Sequence, residues 1–256
     1  MYPGQSAKSQ AYDRSATMFS PDGRLYQVEY ASKIVSQGTT GAAMVYKNGV
    51  VFGADKKVSS KLILPESIEK LFKVDDHIAA VSAGLVGDAR RLIEGARAKA
   101  QENIMYYDEP IHIETLAKDV SSQKQVFTQY AGMRPYGVAF IIGGVDETGP
   151  RIFETEPSGA LAEYVAVAVG AGRKEAMEHF EKNYSNGMTL DAAVKLVFAG
   201  LEASQQKGTK LSLDRLDFGY VDAQKGFIRM SKAELKAMLG GKDSNSKSGN
   251  NASNDA

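Results

Sequence analysis

A helix signal near the start of the chain restricts the fold more than any other segment. Ser20 is a favourable N-cap, Pro21 has the fixed φ that suits the first helical position, and Asp22 lies where the helix dipole is positive. Apolar residues then recur with helical spacing, at Leu25, Val28 and Val35. We therefore predict a helix over residues 20–37 that packs on the body of the protein along one narrow apolar face.

The composition limits the classes of partner. The chain has 256 residues, with 31 Lys plus Arg and 31 Asp plus Glu, so it has no basic excess to attract nucleic acid or an anionic membrane. It has no cysteine, which excludes disulfides, thiolate metal sites and a cysteine nucleophile. The sequence contains no apolar run of the ~18 residues that span a bilayer. We expect protein partners and a cytoplasmic location, with no nucleic acid and no membrane.

Beyond the first helix, strand-like and helix-like segments alternate in groups. Strands are predicted over 40–46, 50–54, 68–74, 77–82, 137–142, 151–154, 164–169, 213–221 and 226–230. Helices are predicted over 85–100, 113–127, 174–182, 189–206 and 231–239. Asn48-Gly49 is typical of a hairpin turn, and we expect a second turn at Asp75-Asp76.

The order of these groups predicts the fold class. Strands, two helices, strands, two helices and strands cannot form a run of βαβ crossovers, so we predict two mainly antiparallel sheets stacked face to face with helices outside. This is an α+β fold, a four-layer αββα sandwich with an extra N-terminal helix. We expect one domain over residues 12–239. Residues 1–11 should be flexible and residues 240–256 disordered, because neither segment has enough apolar surface to pack.

The segment around the first helix also resembles a known family. It reads Tyr12-Asp13-Arg14, then Phe-Ser-Pro-Asp-Gly-Arg-Leu over 19–25 and Gln-Val-Glu-Tyr-Ala over 27–31. This string is similar to the signature of alpha-type subunits of the archaeal 20S proteasome core particle, and the resemblance extends over residues 12–239.

The resemblance implies an Ntn-hydrolase-like fold and a non-catalytic role. Seven such subunits would form each outer ring, which gates the entry of unfolded polypeptide and binds the C-terminal tails of a hexameric regulatory ATPase. Catalysis would belong to the beta subunits of the inner rings, and no cofactor or metal is implied for this chain.

Three groups of residues match functional positions of that family. The gate group comprises Tyr12, Asp13, Arg14, Pro21 and Tyr30. The activator-docking group comprises Lys70, Gly84, Leu85 and Val86. The pore-rim group comprises Thr128, Gln129, Tyr130, Gly132, Arg134 and Tyr136. From the residues alone, simpler interpretations stay open: helix capping with surface tyrosines, a surface lysine in a strand, and an ordinary rigid turn.

The alternative function is that of a self-processing Ntn-type threonine amidohydrolase, or beta-type subunit, that uses Thr39 after a leader is removed. Gly38-Thr39-Thr40, Asp55 and Lys70 resemble the positions at which beta-type subunits carry an N-terminal threonine nucleophile, a carboxylate and a lysine. An N-terminal threonine uses its own α-amine as the base, which an internal threonine lacks. We expect Thr39 to be structural, and catalysis at Thr39 would require cleavage after Gly38.

Other motifs are weak. The run from Gly170 to Lys174 lacks the third glycine of a dinucleotide fingerprint and the Ser or Thr of a phosphate loop, so it indicates a tight strand-to-helix turn. His77, His112 and His179 lack metal-ligand spacing, and we expect no metal site and no serine triad.

Overall fold

The structure, a computed structural model, describes residues 17–56, 60, 62–205 and 211–240. One sheet contains β1 (Gly41–Tyr46), β2 (Gly49–Asp55), β8 (Ala166–Val169), β9 (Leu216–Asp222) and β10 (Gly226–Arg229). These strands lie in the order β10-β9-β2-β1-β8, and each neighbouring pair is antiparallel. We name this sheet A.

The second sheet, sheet B, is also antiparallel and five-stranded. It contains β3 (Leu71–Asp75), β4 (Ile78–Gly84), β5 (Val138–Asp146), β6 (Gly149–Thr155) and β7 (Leu161–Tyr164), in that spatial order. Short 3₁₀ helices at Pro65–Ser67 and Leu213–Arg215 precede β3 and β9.

Helices pack against both sheets. They are α1 (Tyr26–Gln37), α2 (Val86–Tyr107), α3 (Ile113–Phe127), α4 (Arg173–Asn183), α5 (Leu190–Ala203) and α6 (Lys232–Met238). One apolar cluster joins α2 and α3 to sheet B, another joins α4 and α5 to sheet A, and a third lies between the sheets. The predicted four-layer αββα sandwich is confirmed. No helix in the described part of the chain is long and apolar enough to cross a membrane.

The predicted start of the first helix is wrong. The helix begins at Tyr26, because Ser20 closes a turn before it: the Ser20 amide donates to Arg24 O at 2.9 Å and the Arg24 amide donates to Ser20 Oγ at 3.1 Å. Gly23 has φ of 74°, a left-handed conformation that interrupts a helical path after Pro21. From Tyr26 onward α1 packs against β4 and β5, as an amphipathic helix should.

Some predicted strands also differ from the observed ones by several residues. The strand predicted over 213–221 begins only at Leu216, because Leu213–Arg215 is a 3₁₀ helix. The strand predicted over 68–74 begins only at Leu71, so Lys70 precedes it. The strand predicted over 164–169 is two strands in different sheets. β7, in sheet B, ends at Tyr164 and β8, in sheet A, begins at Ala166, so the exposed Val165 is the single residue between them.

A lysine is buried between α3 and sheet B. Lys124 is fully buried, and its Nζ donates to Thr155 Oγ1 at 2.6 Å and Thr155 O at 3.0 Å, 5.0 Å from the centroid of the Phe140 ring. Burial lowers the pKa of Lys124 to about 7, although Glu154 and Glu156 act in the opposite direction. The folded chain therefore favours the neutral amine of Lys124.

This burial predicts a pH-dependent stability. The folded pKa of Lys124 lies below its ordinary value of 10.5, so burying the charge costs free energy at and below about pH 7, and the cost disappears as the pH rises to 10.5. We expect Lys124→Met to raise the free energy of unfolding near pH 7 by about 1–2 kcal/mol, with the gain shrinking towards pH 10. Urea unfolding from pH 6 to pH 10 measures this. Lys118→Met, on the exposed face of the same helix, should show no such gain, and a Lys124→Met chain that is less stable at every pH would contradict the expectation.

Candidate functional site

Three chain segments bring Thr39, Asp55 and Lys70 together at one end of the sandwich. Lys70 Nζ donates to Thr39 O and Thr39 Oγ1, both at 2.5 Å, and to Asp55 O at 3.2 Å. Thr39 Oγ1 in turn donates to Asp55 O at 2.6 Å. The three acceptors match the three N–H donors of an ammonium group. Lys70 therefore ties the residue before β1 to the end of β2.

The environment of Lys70 excludes the interpretation as a surface lysine. The residue is only 7% exposed, and burial lowers the pKa of its amine to about 7 while the nearby charge of Asp55 opposes this shift. Near neutral pH the ammonium and the amine are therefore both populated.

The carboxylate of Asp55 faces a different set of partners. Its Oδ2 accepts from Arg215 Nη2 at 2.7 Å and from Gln205 Nε2 at 3.3 Å. Its Oδ1 is buried and has no hydrogen-bond partner among the residues that the structure describes. The structure thus brings the threonine, the carboxylate and the lysine together, but the observed carboxylate bonds go to Arg215 and Gln205.

The nitrogen of Thr39 is part of a peptide bond that is built into the fold. The amide of Gly38 donates to Val35 O at 3.0 Å at the end of α1, and Gly38 O accepts from the Ala171 amide at 2.8 Å. A Cβ on Gly38 would lie 2.7 Å from the amide nitrogen of Gly84. The folded chain therefore offers Thr39 a hydroxyl beside a lysine, but not the free α-amine that an N-terminal nucleophile uses as its base.

The docking group lies close to Gly38 and Thr39. Gly84 has φ of 117°, and a Cβ there would lie 2.1 Å from Gly137 O, so the position requires glycine. Leu85 and Val86, at the start of α2, are 38% and 37% exposed. Lys70 O accepts from Ser82 N at 3.0 Å, two residues before Gly84. The backbones of this group are therefore neighbours, while the ammonium of Lys70 is directed to Thr39.

The pore-rim group forms a loop between α3 and β5 that is fixed at both ends. Thr128 Oγ1 donates to Gln125 O at 2.7 Å, and the Tyr136 ring packs on Phe127 with 4.5 Å between centroids. The middle is open to solvent: Tyr130 is 59% exposed, Gln129 and Arg134 are also exposed, and Gly132 has a left-handed φ of 82°.

The gate group is described only in part. Tyr12, Asp13 and Arg14 lie outside the described residues, as do the predicted flexible segment 1–11 and all of the predicted tail except Gly240. Pro21 is exposed in the turn that Ser20 closes. Tyr30 lies on α1, with its ring stacked on that of Tyr26 at 6.4 Å.

Sequence reasoning missed Asp88, which the structure places between two of these groups. Both oxygens of its carboxylate accept from Arg134, at 2.6 and 2.7 Å, and one also accepts from the Gly137 amide at 2.8 Å. Asp88 and Arg134 are 46 residues apart, so helical periodicity places Asp88 on a polar face and gives no signal of the pair.

The remaining motifs do not form a metal centre. His77 and His112 line one cavity of about 240 Å³ with Glu109, Asp146 and Glu147. Within the described ranges, no group of three or more His, Asp or Glu side chains has an arrangement that could hold a metal. Gly170 to Lys174 forms the turn from β8 to α4, as predicted from the weak motif.

Comparisons with known proteins give the family. The model of the proteasome subunit family matches residues 35–221, and the model of the N-terminal signature of A-type proteasome subunits matches residues 12–33. The two matches together extend over most of the chain.

Similar relatives are proteins named as proteasome alpha subunits. The protein from Methanothermobacter thermautotrophicus is 53% identical over 215 residues, covering 84% of this chain and 86% of its own. Those from Methanopyrus kandleri and Methanosarcina barkeri are 50% and 47% identical, and the matches cover 90% and 91% of this chain and 92% and 93% of their own. The N-terminal signature and these relatives favour the non-catalytic alpha-type assignment over the beta-type alternative based on Thr39. The chain therefore belongs to the proteasome subunit family, as an alpha-type member.

Proposed function

We propose that seven copies of this chain close into an outer ring of a proteasome core particle in the cytoplasm. The ring admits unfolded polypeptide, binds the C-terminal tails of a hexameric ATPase and rests on beta-type subunits that carry the peptidase activity. Relatives named as proteasome alpha subunits support the assembly with other proteasome subunits.

One observation carries the non-catalytic part of the proposal. The Gly38–Thr39 peptide is held by hydrogen bonds on both sides, and the residues before it form α1, which buries Ala31 and Val35 against sheet B. Cleavage after Gly38 would free the amine of Thr39 only by detaching α1 from the chain. A leader meant for removal has no need of such packing.

The docking part of the proposal follows from charge and exposure. Leu85 and Val86 offer exposed apolar surface at the start of α2. Lys70, whose carbonyl oxygen accepts from the Ser82 amide three residues before Leu85, supplies a cation on the neighbouring chain segment. A C-terminal carboxylate that enters between neighbouring subunits would compete with Thr39 O for the ammonium of Lys70. A hydrogen bond between an ammonium and a carboxylate, in which both groups are charged, is stronger than one between the ammonium and a neutral carbonyl, which favours the exchange.

The gating part rests on composition. Residues 1–11 are mostly polar and small, contain Pro3 and Gly4, and stand directly before the matched signature. Seven such segments that converge on one axis would obstruct an unfolded chain and let a short peptide pass.

Catalytic silence is the first test. We expect Thr39→Ala to leave the peptidase rate of a reconstituted alpha and beta complex within error, because Lys70 keeps two of its three acceptors and assembly persists. Fluorogenic peptide hydrolysis and an intact mass that retains residues 12–38 measure this.

Thr39→Ser is the matched control, because it keeps the hydroxyl. A large loss of activity in the alanine variant, with the serine variant active and both complexes assembled, would establish Thr39 as a nucleophile and overturn the proposal.

A further inference from the structure

The carboxylate of Asp88 joins the start of α2, next to the docking group, to the pore-rim loop. Asp88 lies in the first turn of α2, three residues after Leu85, and its side chain is 12% exposed. It accepts a bidentate pair of hydrogen bonds from Arg134 and a third from the Gly137 amide. Burial raises the pKa of Asp88, but the bonds from Arg134 and Gly137 outweigh burial and hold the pKa below its usual value. The carboxylate is therefore charged at neutral pH.

Near this pair, the backbone at Gly84 and Leu85 packs tightly against the backbone at Gly137. The Leu85 amide donates to Gly137 O at 2.9 Å. A Cβ on Gly84 would lie 2.1 Å from Gly137 O, and a Cβ on Gly137 would lie 2.9 Å from Leu85 Cδ1. The end of the pore-rim loop at Gly137 thus cannot move far unless the segment from Gly84 to Val86 moves as well.

The middle of the loop lacks such a fit. Tyr130 and Met133 are 59% and 47% exposed, and Gly132 has open space around its Cα. Arg134 lies between this exposed part and the fixed end at Gly137. Its side chain is 60% exposed, but the fork geometry of a bidentate pair fixes the orientation of the guanidinium. Asp88 is therefore placed to extend the fixed region from Gly137 to Arg134.

We propose that Asp88 is a positioning residue: its bond to Arg134 makes the pore-rim loop follow the segment Gly84–Val86, so that docking at that segment changes the position of the loop. This inference rests on the proposed function, since the docking role of Gly84–Val86 is part of it. The pair connects two elements, because Asp88 belongs to the helix that begins at the docking segment and Arg134 belongs to the loop.

The first experiment measures the loop directly. The chain has no cysteine, so Met133→Cys gives a single site for a spin label in the assembled ring. We expect Asp88→Ala and Arg134→Met each to shorten the rotational correlation time of the label about threefold, and the double variant to add little, because both remove the same bond. Asp88→Asn, which can still accept from Gly137, should have a smaller effect. Glu94→Ala, on the exposed face of the same helix, is the control and should change nothing.

The second experiment measures the coupling in the complete core particle. A synthetic peptide with the sequence of an activator's C-terminal tail should bind the Asp88→Ala particle with unchanged affinity, but its stimulation of unfolded-protein degradation should fall about tenfold. A purely structural role predicts weaker assembly and equal losses for tetrapeptide and protein substrates.

The outcomes separate the two proposals. Unchanged label mobility in Asp88→Ala, or full stimulation of that particle by the tail peptide, would overturn the positioning role of Asp88. If the tail peptide fails to stimulate the wild-type particle, the proposed docking function is wrong, and the mobility of the label alone then decides whether Asp88 positions the loop.

Discussion

Deleting residues 2–11 should raise the rate at which a core particle degrades a casein-like unfolded protein in the absence of any activator. The reason is that the deleted segments are the proposed obstruction over the axial opening. If the closed state is favoured by about 1.4 kcal/mol, the opening admits an unfolded chain for about one tenth of the time. Removing the obstruction should therefore raise the degradation rate about tenfold. Tetrapeptide hydrolysis should change little, because a short peptide passes the closed opening. Parallel assays of both substrates on the same particle measure the ratio.

The residues at the base of the segment provide a sharper arm of this test. We propose that the Tyr12 hydroxyl donates to Asp13 of the neighbouring subunit in the open state, with Pro21 and Tyr30 stiffening the base. Tyr12→Ala should therefore prevent opening by the activator while the activator still binds. Removal of the C-terminal residues 245–256, which have a similar polar composition, is the matched control. A truncated particle that degrades unfolded protein no faster than the intact one would show that residues 2–11 are not the gate.

Replacing Lys70 should abolish the response to the ATPase almost completely. A charge-assisted hydrogen bond to a terminal carboxylate contributes about 1.5 to 3 kcal/mol, so Lys70→Met should weaken one site about tenfold or more. Several tails of one hexamer bind one ring, so a loss of affinity at every subunit weakens the whole complex far more than the loss at one site. Lys73→Met is the control, because Lys73 is an exposed lysine in β3, three residues further along. Titration of a labelled tail peptide measures single-site affinity, and ATPase-stimulated degradation measures the combined effect.

The pH dependence of docking tests the same residue independently. In the folded chain without a docked tail the pKa of Lys70 is about 7, and a docked carboxylate raises this pKa. The gain from docking is therefore complete below about pH 7 and is lost as the pH rises through the pKa of the docked state. Peptide affinity should fall between pH 7 and pH 9 in the wild-type ring and stay flat in Lys70→Met. Normal binding and activation of Lys70→Met rings, with native mass showing intact assembly, would remove Lys70 from the docking group.

The layers of the fold could be predicted from the sequence because periodicity reports burial. Alternation and helical spacing mark which faces are apolar, and the grouping of strands and helices then leaves few ways to stack them. The start of α1 could not be predicted in this way. Ser20 and Pro21 suit a turn as well as a helix, and the choice depends on the left-handed φ of Gly23 and on a bond from Arg24 back to the serine.

The candidate site was predictable as a set of residues but not as a set of bonds. Lysine is rarely buried, so Lys70 beside a strand suggests a surface residue. Two of its acceptors are the carbonyl oxygens of Thr39 and Asp55, which have no counterpart in side-chain patterns. Asp88 and Arg134 meet only because α2 and the loop before β5 are adjacent in space. The division of a predicted strand at Val165 is likewise invisible in the sequence, because the apolar pattern continues through it.

The single residue between β7 and β8 joins the two sheets covalently at one edge of the sandwich. β7 is an edge strand of sheet B and β8 is an edge strand of sheet A. Val165 connects them, and its carbonyl oxygen accepts from the Val45 amide at 2.8 Å. At the opposite edge, β3 and β10 are far apart in the chain, and they are joined through bonds such as that from Arg229 to Leu71 O at 2.6 Å. That edge is also held by the bonds of Lys70, just before β3, to Thr39 and Asp55. A substitution can therefore weaken the closure at β3 and β10, whereas the closure at β7 and β8 is covalent.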